Sequence, residues 1–494
     1  MSFTDATPAA IDQAVQHAWQ AFLVYRKTTW PQRAQLLYRI AEVLEPHEAA
    51  LVGLAMEETH LPESRLRNEF ARTLFQLRQY AHAVETGIWT TFRINTASAE
   101  SAPQPDVRKT YVPLGPVAVF GASNFPFAFS TAGGDTASAL AAGCTVIVKA
   151  HPAHPRLSTE VADCIHQAIQ QCQLPDGVFQ HIYGASPAVS EMLVKHPLIK
   201  AVGFTGSYTA GKALFDIARQ RKEPIPVFAE MGSVNPVFLL PEKLAQDATG
   251  IADMLAASIT LSAGQFCTKP GLIFGIAGDA LQQFTTQLAE KLSHTQGQLM
   301  LHEGIASAYR EKIHSATRRQ CTEPVVALSS LSQTLEAKPV LSTTSASQFM
   351  AHPALQEEVF GPYALVVACE HMEQMLQVVG QLEGQLTCTL MATEQDLLQH
   401  RHLIDALTLI AGRIIFNGVP TGVRVCTAMH HGGPFPATTD SRFTSVGADA
   451  IQRFVRPICF QHFPDRFLPP ELQNANPWQW WRMVDDRLSQ SRIE

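Results

Sequence analysis

Apolar positions recur at helical spacing over residues 8–25, 31–58 and 62–88, the last through Leu66, Phe70, Leu74, Leu77 and Tyr80. Polar residues with Pro103 and Pro105 end that rhythm, so 96–110 reads as an extended connector or edge arm. From Gly115 the pattern changes. Short apolar runs at Gly115–Phe120 and Cys144–Val148, and extended stretches at 178–183, 199–204 and 225–229, alternate with helical stretches at 156–172, 187–196 and 209–221. Such alternation predicts βαβ units around a parallel sheet, with ligands at the carboxyl ends of its strands. A second α/β stretch follows: a strand at 235–240, a long helix at 243–264, and strands at 271–275, 363–368, 386–391 and 412–416. Residues 456–494, rich in proline and aromatic residues, read as a tail lying on another surface.

Composition narrows the class. With 494 residues, 46% hydrophobic and 16% charged, the chain is expected to fold as a soluble protein of two or three domains. A net charge of −7 and the lack of any Lys/Arg run argue against a nucleic-acid partner. No apolar stretch reaches membrane-spanning length, and the N-terminus lacks the basic start and apolar centre of a secretory signal. Nine cysteines are scattered singly with no CxxC pair. A disulfide framework and a structural metal site are therefore not expected, and a reducing cytoplasm is.

Several residues stand where chemistry is feasible. Cys267, in Gly264-Gln-Phe-Cys267-Thr, has the small neighbours of an exposed thiol nucleophile, although a lone cysteine is more often buried and inert. Glu230 closes the run Pro226–Ala229; partial desolvation there would raise its pKa and suit it as a base toward water, against the alternative of a surface turn. Asn124 follows the first strand, where a helix is expected to open, and its amide can meet an oxyanion or simply serve a turn. Lys149 ends a strand and can reach a ribose or phosphate. Gly203-Phe-Thr-Gly206-Ser207-Tyr-Thr-Ala-Gly211 makes a strand–turn–helix anion site, though it matches neither GxGxxG nor a P-loop. Glu358 and Phe360, before Gly361-Pro362, offer an acid for ribose and a ring for a flat cofactor.

Taken in order, Ala122-Ser-Asn124-Phe-Pro, Val148-Lys149, Gly203-Phe-Thr-Gly206-Ser, Ala229-Glu230-Met-Gly, Gly264-Gln-Phe-Cys267 and Glu358-Val-Phe360-Gly-Pro resemble the aldehyde dehydrogenase superfamily. Residues 110–455 carry the match. The segments 148–155, 418–422, 431–438, 444–447 and 456–461 are similar to its NADP-dependent branch, which includes 2,5-dioxovalerate (α-ketoglutarate semialdehyde) and bacterial long-chain aldehyde dehydrogenases. The superfamily's more usual Gly-Gly-x-Lys-x-Ser-Gly loop is absent near 433–445.

The resemblance implies an α/β fold with a parallel Rossmann-type cofactor domain, an α/β catalytic domain and an oligomerisation arm. The expected division is a cofactor domain at 1–230 with the arm at 96–110, a catalytic domain at 231–429, a return to the cofactor domain at 430–455 and an oligomerisation or packing tail at 456–494. It implies that Cys267 attacks the aldehyde, that Asn124 and the Cys267 backbone N–H hold the oxyanion, that hydride leaves for the nicotinamide, and that Glu230 activates water against the thioacyl enzyme. Lys149 and Glu358 would bind ribose hydroxyls, Phe360 would face the nicotinamide, and Gly206, Ser207 and Gly211 would lie by the pyrophosphate. NADP is expected in preference to NAD: Pro152 replaces the glutamate that repels a 2′-phosphate in NAD-preferring relatives, and His151, His154 and Arg156 lie close in sequence. The expected substrate pocket holds Phe125, Phe129, Phe266 and Phe435. Arg72 or Arg424 would hold a distal carboxylate, unless Arg72 pairs with Glu69 and Arg424 lies on the surface. The expected substrate is 2,5-dioxovalerate, with a medium- or long-chain aliphatic aldehyde as the alternative. A CoA-acylating enzyme and a non-catalytic binding protein are the remaining readings. A homodimer or homotetramer is implied.

Overall fold

The computed structural model describes residues 3–97, 104–317, 321–326 and 334–494. The expected helix at 8–25 is Pro8–Tyr25, opened by Thr7, whose hydroxyl accepts from Ala10 N. The expected helix at 31–58 is two helices, Trp30–Leu44 and Glu48–Thr59, joined by a 3-10 turn at Glu45–His47. Pro46 accounts for the break, because it has no N–H for the helical ladder. Glu63–Thr86 runs as expected and stops at Gly87, whose φ of 75° suits glycine. A Cβ on Gly87 would lie 2.8 Å from the Trp480 ring, so this stop also seats the tail.

Three larger sheets organise the described residues, beside a two-stranded pairing of Gln298–Leu299 with Glu336–Ala337. The first is wholly parallel and joins Phe179–Ile182, Val146–Lys149, Val117–Phe120, Ala201–Thr205 and Val227–Glu230 in that spatial order. Its strands are almost fully buried, as a sheet covered by helices on both faces requires. The second has seven strands. Its neighbours Val340–Ser345, Tyr363–Cys369, Leu272–Ile276, Val237–Leu239, Gln385–Met391 and Ala411–Phe416 run parallel, and Glu323–Val326 adds an antiparallel edge. The third joins Val455–Gln461, Val107–Pro113, Phe92–Asn95, Arg482–Val484 and Arg487–Ser489. The expected arm and tail are therefore parts of one sheet; residues 98–103 of the arm lie outside the described residues.

Two local expectations change. No helix opens at Asn124: residues 121–133 form a folded loop and the helix begins at Gly134. Ala122 N donates to Phe129 O, and the buried Glu69 carboxylate takes the Phe127 and Ala128 N–H groups, so the loop meets its backbone needs without a helix. In the tail, Trp480 is buried, stacked on Phe92 at 5.4 Å, and Trp478 packs on Trp480 at 4.7 Å. The tail tryptophans thus pack mainly on their own subunit, while Trp481 stays exposed.

The helix Gly134–Ala142 is tied to the 3-10 turn Ala448–Phe454 by a buried ion pair: Arg453 Nη1 meets Asp135 Oδ1 at 2.7 Å, and Arg453 Nη2 donates to Ser138 at 3.1 Å. Removing one partner strands the other charge in the core. Asp135→Ala is expected to cost about 3–5 kcal/mol, seen as a fall of several degrees in thermal unfolding. Pairing Asp135→Leu with Arg453→Met is expected to recover part of that loss.

Candidate active site

The parallel sheet delivers Glu230 at its strand end, where Gly206 N donates to Glu230 O at 3.1 Å. The segment after residue 430 folds back over this end: Thr438 bridges Glu230, and Met231 N donates to Ala437 O. Cys267 arrives from the other side. The helix Pro241–Thr260 passes into a 3-10 turn, Leu261–Gly264, in which Ser262 and Ala263 take left-handed φ values of 49° and 54°. Asn235, also left-handed at φ 47°, holds the loop by donating from Nδ2 to Cys267 O and Lys269 O at 2.8 and 3.1 Å. Non-glycine residues in this region cost about 1–3 kcal/mol each, so the nucleophile's loop is held by surrounding contacts rather than by local preference.

Glu230 and Cys267 meet, with a third group that sequence reasoning left without a role. His431 Nε2 lies 3.1 Å from Glu230 Oε1 and 3.8 Å from Cys267 Sγ. Ser445 Oγ donates to Glu230 Oε2 at 2.9 Å. The donor atoms of Glu230, Cys267 and His431 all lie within 4.8 Å of one another, the one such group among the described residues. A thiolate, an imidazole and a carboxylate also suit zinc, but here each is already hydrogen-bonded to another member. The available signal was the departure from the usual loop at 433–445, which brings in His431 and Ser445. A carboxylate only accepts, so the His431 proton is assigned to Nε2.

This network reverses one expectation. Burial pushes Glu230 up, but the His431 imidazole and hydrogen bonds from His431, Ser445 and Cys267 outweigh it, so the carboxyl sits below its usual range. The Cys267 thiol is pushed well up, by burial first and then by the Glu230 charge and hydrogen bond and by Glu358, with Arg72 opposing. At rest the pair is a thiol donating to a carboxylate. Asn124 is buried beside it, with Nδ2 donating to Gln265 O at 3.1 Å.

Phe125, Phe129 and Phe266 form the expected aromatic wall, with Phe125 edge-on to each of the other two at 5.4 Å and Val423 and Val425 packed against them. Phe435 does not join these rings. It is half-exposed and edges Tyr208, the first residue of the helix Tyr208–Arg219. Arg72 lies over Phe129 at 5.3 Å and forms no ion pair with Glu69. Arg424 is exposed on the loop carrying Val423 and Val425. Sequence reasoning missed Arg65, which lies over Phe266 and Phe125 at 4.5 and 5.1 Å.

The cofactor candidates divide. Lys149 Nζ donates to Gly184 O at 2.7 Å, and burial lowers its pKa. Ser207 caps the helix Tyr208–Arg219, and Ser207, Tyr208, Thr209 and Ala210 are exposed, leaving this helix start open to an anion. Gly206 carries the turn; a Cβ there would meet the Phe204 ring at 2.7 Å. Gly211 is internal instead, and a Cβ would strike Met231 at 2.7 Å, so its smallness serves packing. Glu358 is pushed up to about 7 by burial, against Lys269 and Lys312. Its carboxylate comes so near the Glu230 turn that a Cβ on Gly232 would lie 2.6 Å from Oε2. Phe360 is half-buried two residues on. Two expected phosphate contacts are otherwise engaged. Arg156 is exposed and paired with Glu57 at 3.0 Å, and His151 stacks on His154 at 5.4 Å, held well below the usual histidine range by burial and by His154, Lys149 and His302.

Comparison with known proteins shows the family of the chain. The Aldehyde dehydrogenase family pattern matches residues 1–434. The chain is 45% identical to the alpha-ketoglutaric semialdehyde dehydrogenase of Acinetobacter baylyi, over 99% of this chain and 93% of that protein. It is also 45% identical to alpha-ketoglutaric semialdehyde dehydrogenase 2 of Azospirillum brasilense, over 98% and 93%. Among solved structures it is similar to methylmalonate-semialdehyde dehydrogenase from Oceanimonas doudoroffii, with a TM-score of 0.78, 19% identity and 93% and 92% of the two chains covered. A likeness of the same TM-score and identity joins it to NADP-dependent glyceraldehyde-3-phosphate dehydrogenase from Bacillus halodurans C-125, over 92% of each chain. Among the described residues no helix is long and apolar enough to cross a membrane. The chain belongs to the aldehyde dehydrogenase family, and it is an enzyme that oxidises an aldehyde to a carboxylic acid.

Proposed function

We propose that the substrate is 2,5-dioxovalerate and the product 2-oxoglutarate, the aldehyde carbon being captured by Cys267. The observation that carries the mechanism is the shared contact of Glu230, His431 and Cys267. Glu230 takes the thiol proton, and the freed thiolate attacks the carbonyl carbon. The Asn124 side chain and the Cys267 N–H stabilise the oxyanion. Glu230 releases the thiol proton to solvent, and once the hydride has left the carbon for the nicotinamide acceptor the ionised carboxylate takes a proton from the water that hydrolyses the thioester, while His431 and Ser445 hold it in place. Arg72 meets the distal carboxylate. The names of the relatives support this substrate over an aliphatic aldehyde. The presence of Cys267, Asn124 and Glu230 together argues against a non-catalytic protein, and Glu230 argues against release to a thiol such as CoA.

Aldehyde dehydrogenases use NAD or NADP, and the nicotinamide, when bound, supplies the hydride acceptor. Lys149 and Glu358 are assigned to its ribose hydroxyls, the start of the helix Tyr208–Arg219 to the pyrophosphate, and Phe360 to the nicotinamide face. No acid lies between 149 and 159, which supports acceptance of NADP. With Arg156 paired to Glu57 and His151 held uncharged, Lys149 is the cation assigned to the 2′-phosphate. We assign residues 1–230 and 430–455 to the cofactor domain, 231–429 to the catalytic domain, and the sheet joining arm and tail to a homodimer or homotetramer contact.

Purified protein is expected to reduce NADP and NAD with 2,5-dioxovalerate at a much higher kcat/KM than with pentanal. Equal rates would discard the substrate and keep the mechanism. Cys267→Ser is expected to abolish turnover, and Glu230→Gln to lower kcat about 10²–10⁴-fold. The thiol responds in the opposite sense. A neighbouring negative charge disfavours the thiolate, so removing the Glu230 charge lowers the Cys267 pKa. The pH midpoint for iodoacetamide labelling of Cys267, read by mass spectrometry, is expected to fall in Glu230→Gln; an unchanged midpoint would separate the two groups.

A further inference from the structure

We propose that Arg65, Arg72 and Arg413 form one clamp for the 2-oxo acid end of the substrate, holding its carboxylate and adjacent carbonyl while the aldehyde meets Cys267. This deepens the substrate reading above and rests on it. It adds Arg65 and Arg413, which neither the sequence pattern nor the comparisons single out.

The three cations approach from two sides. Arg65 and Arg72 stand seven residues apart on the helix Glu63–Thr86, which places them on one face two turns apart. Arg413 stands on the strand Ala411–Phe416 of the seven-stranded sheet. Arg65 and Arg72 stand over the rings beside Cys267, and Arg413 pairs with Thr387, whose hydroxyl donates to Asn235, the residue that holds Cys267 O; the neighbouring Gly412 lies against Gly432, next to His431.

Their own partners leave them incomplete. Arg65 donates to Asn124 O and Arg413 to Pro420 O, both neutral. Arg65 Nη1, Arg72 Nε and Nη2, and Arg413 Nε are buried with no hydrogen-bond partner. Glu69, between Arg65 and Arg72 on the helix, spends Oε1 on two backbone N–H groups; it attracts both helix arginines without an ion-pair contact to either among the described residues, and its Oε2 is unpartnered. Buried guanidinium nitrogens lacking acceptors are rare, because each is costly to desolvate.

The ligand that completes them follows from charge and shape. The unpartnered N–H groups of the three guanidiniums call for an anionic acceptor, which a carboxylate supplies. A carboxylate beside a carbonyl presents coplanar oxygens, matched to planar N–H donors. Phe129 under Arg72, and Phe125 and Phe266 around Arg65, fix those planes and exclude water. A neutral aldehyde would leave the nitrogens unpaired, so the clamp selects against aliphatic substrates as well as for the oxo acid.

The test uses the full-length enzyme with 2,5-dioxovalerate, succinic semialdehyde and pentanal, in wild type, Arg65→Met, Arg413→Met and the two lysine variants. The kcat/KM ratio of dioxovalerate to pentanal is expected to fall about tenfold or more in each methionine variant, with partial rescue by lysine. Calorimetric binding of 2-oxoglutarate to the same proteins is expected to weaken in parallel. Melting temperatures identify a variant that fails to fold, and Arg413→Met, on a different element from Arg65 and the Asn124 loop, then carries the test. If the wild type prefers dioxovalerate and neither methionine variant changes the ratio or the binding, the clamp is overturned and the substrate reading stands. If the wild type prefers succinic semialdehyde and the variants lose that preference, the arginines hold a carboxylate alone, and the oxo acid clamp is overturned with the oxo acid reading. If the wild type prefers no carboxylated aldehyde, both fall.

Discussion

The buried Glu230 carboxylate is the constraint on which the site depends. It ends a strand of the parallel sheet, yet its oxygens are satisfied from elsewhere: by His431 and Ser445, on the segment that folds back after the catalytic sheet, and by the Cys267 thiol. An ionised carboxylate without these donors would be too costly to bury. The sheet that presents Glu230, the strained loop that presents Cys267 and the returning segment must therefore assemble together. Local stability and catalytic geometry are here the same set of hydrogen bonds.

That arrangement changes how the base is understood. Desolvation alone would raise Glu230 toward a value suited to accepting a proton, as its strand-end position suggests. The observed donors pull it the other way. A low-lying carboxylate is a weaker base at rest, but it is ionised across the neutral range and held in place. Its partner takes the opposite shift, since the same negative charge that His431 and Ser445 stabilise raises the Cys267 thiol. The network stores a proton on sulfur until a substrate arrives.

Much of this was legible from the sequence. The parallel sheet was readable because its strands, such as Val146–Lys149 and Ala201–Thr205, are short apolar runs separated by helices of clear period. Cys267, Glu230 and Asn124 were legible because ordered motifs carry them. What escaped was what only tertiary contact decides. Residues 121–133 read as a helix start, but Glu69, far away in sequence, supplies the acceptor that makes a loop cheaper. Val455–Gln461 carries no strong alternation, since it lies mostly exposed beside Val107–Pro113. His431 had no role in the sequence because its partners lie 201 and 164 residues away. Arg156 seemed a free cation because Glu57 is distant along the chain.

The arginines show the same limit from the other side. In sequence, Arg65 and Arg72 are ordinary members of an amphipathic helix, and Glu69 between them suggests a salt-bridged face. Folding turns that face inward against Phe125, Phe129 and Phe266, and one oxygen of Glu69 is taken by backbone donors. The helix therefore leaves guanidinium N–H groups of Arg65 and Arg72 buried without acceptors. Arg413, arriving on the seven-stranded sheet, adds a buried Nε that also lacks an acceptor. A core arranged for stability alone would have paired these nitrogens. Leaving them to an incoming anion turns an electrostatic cost of folding into selectivity for the substrate.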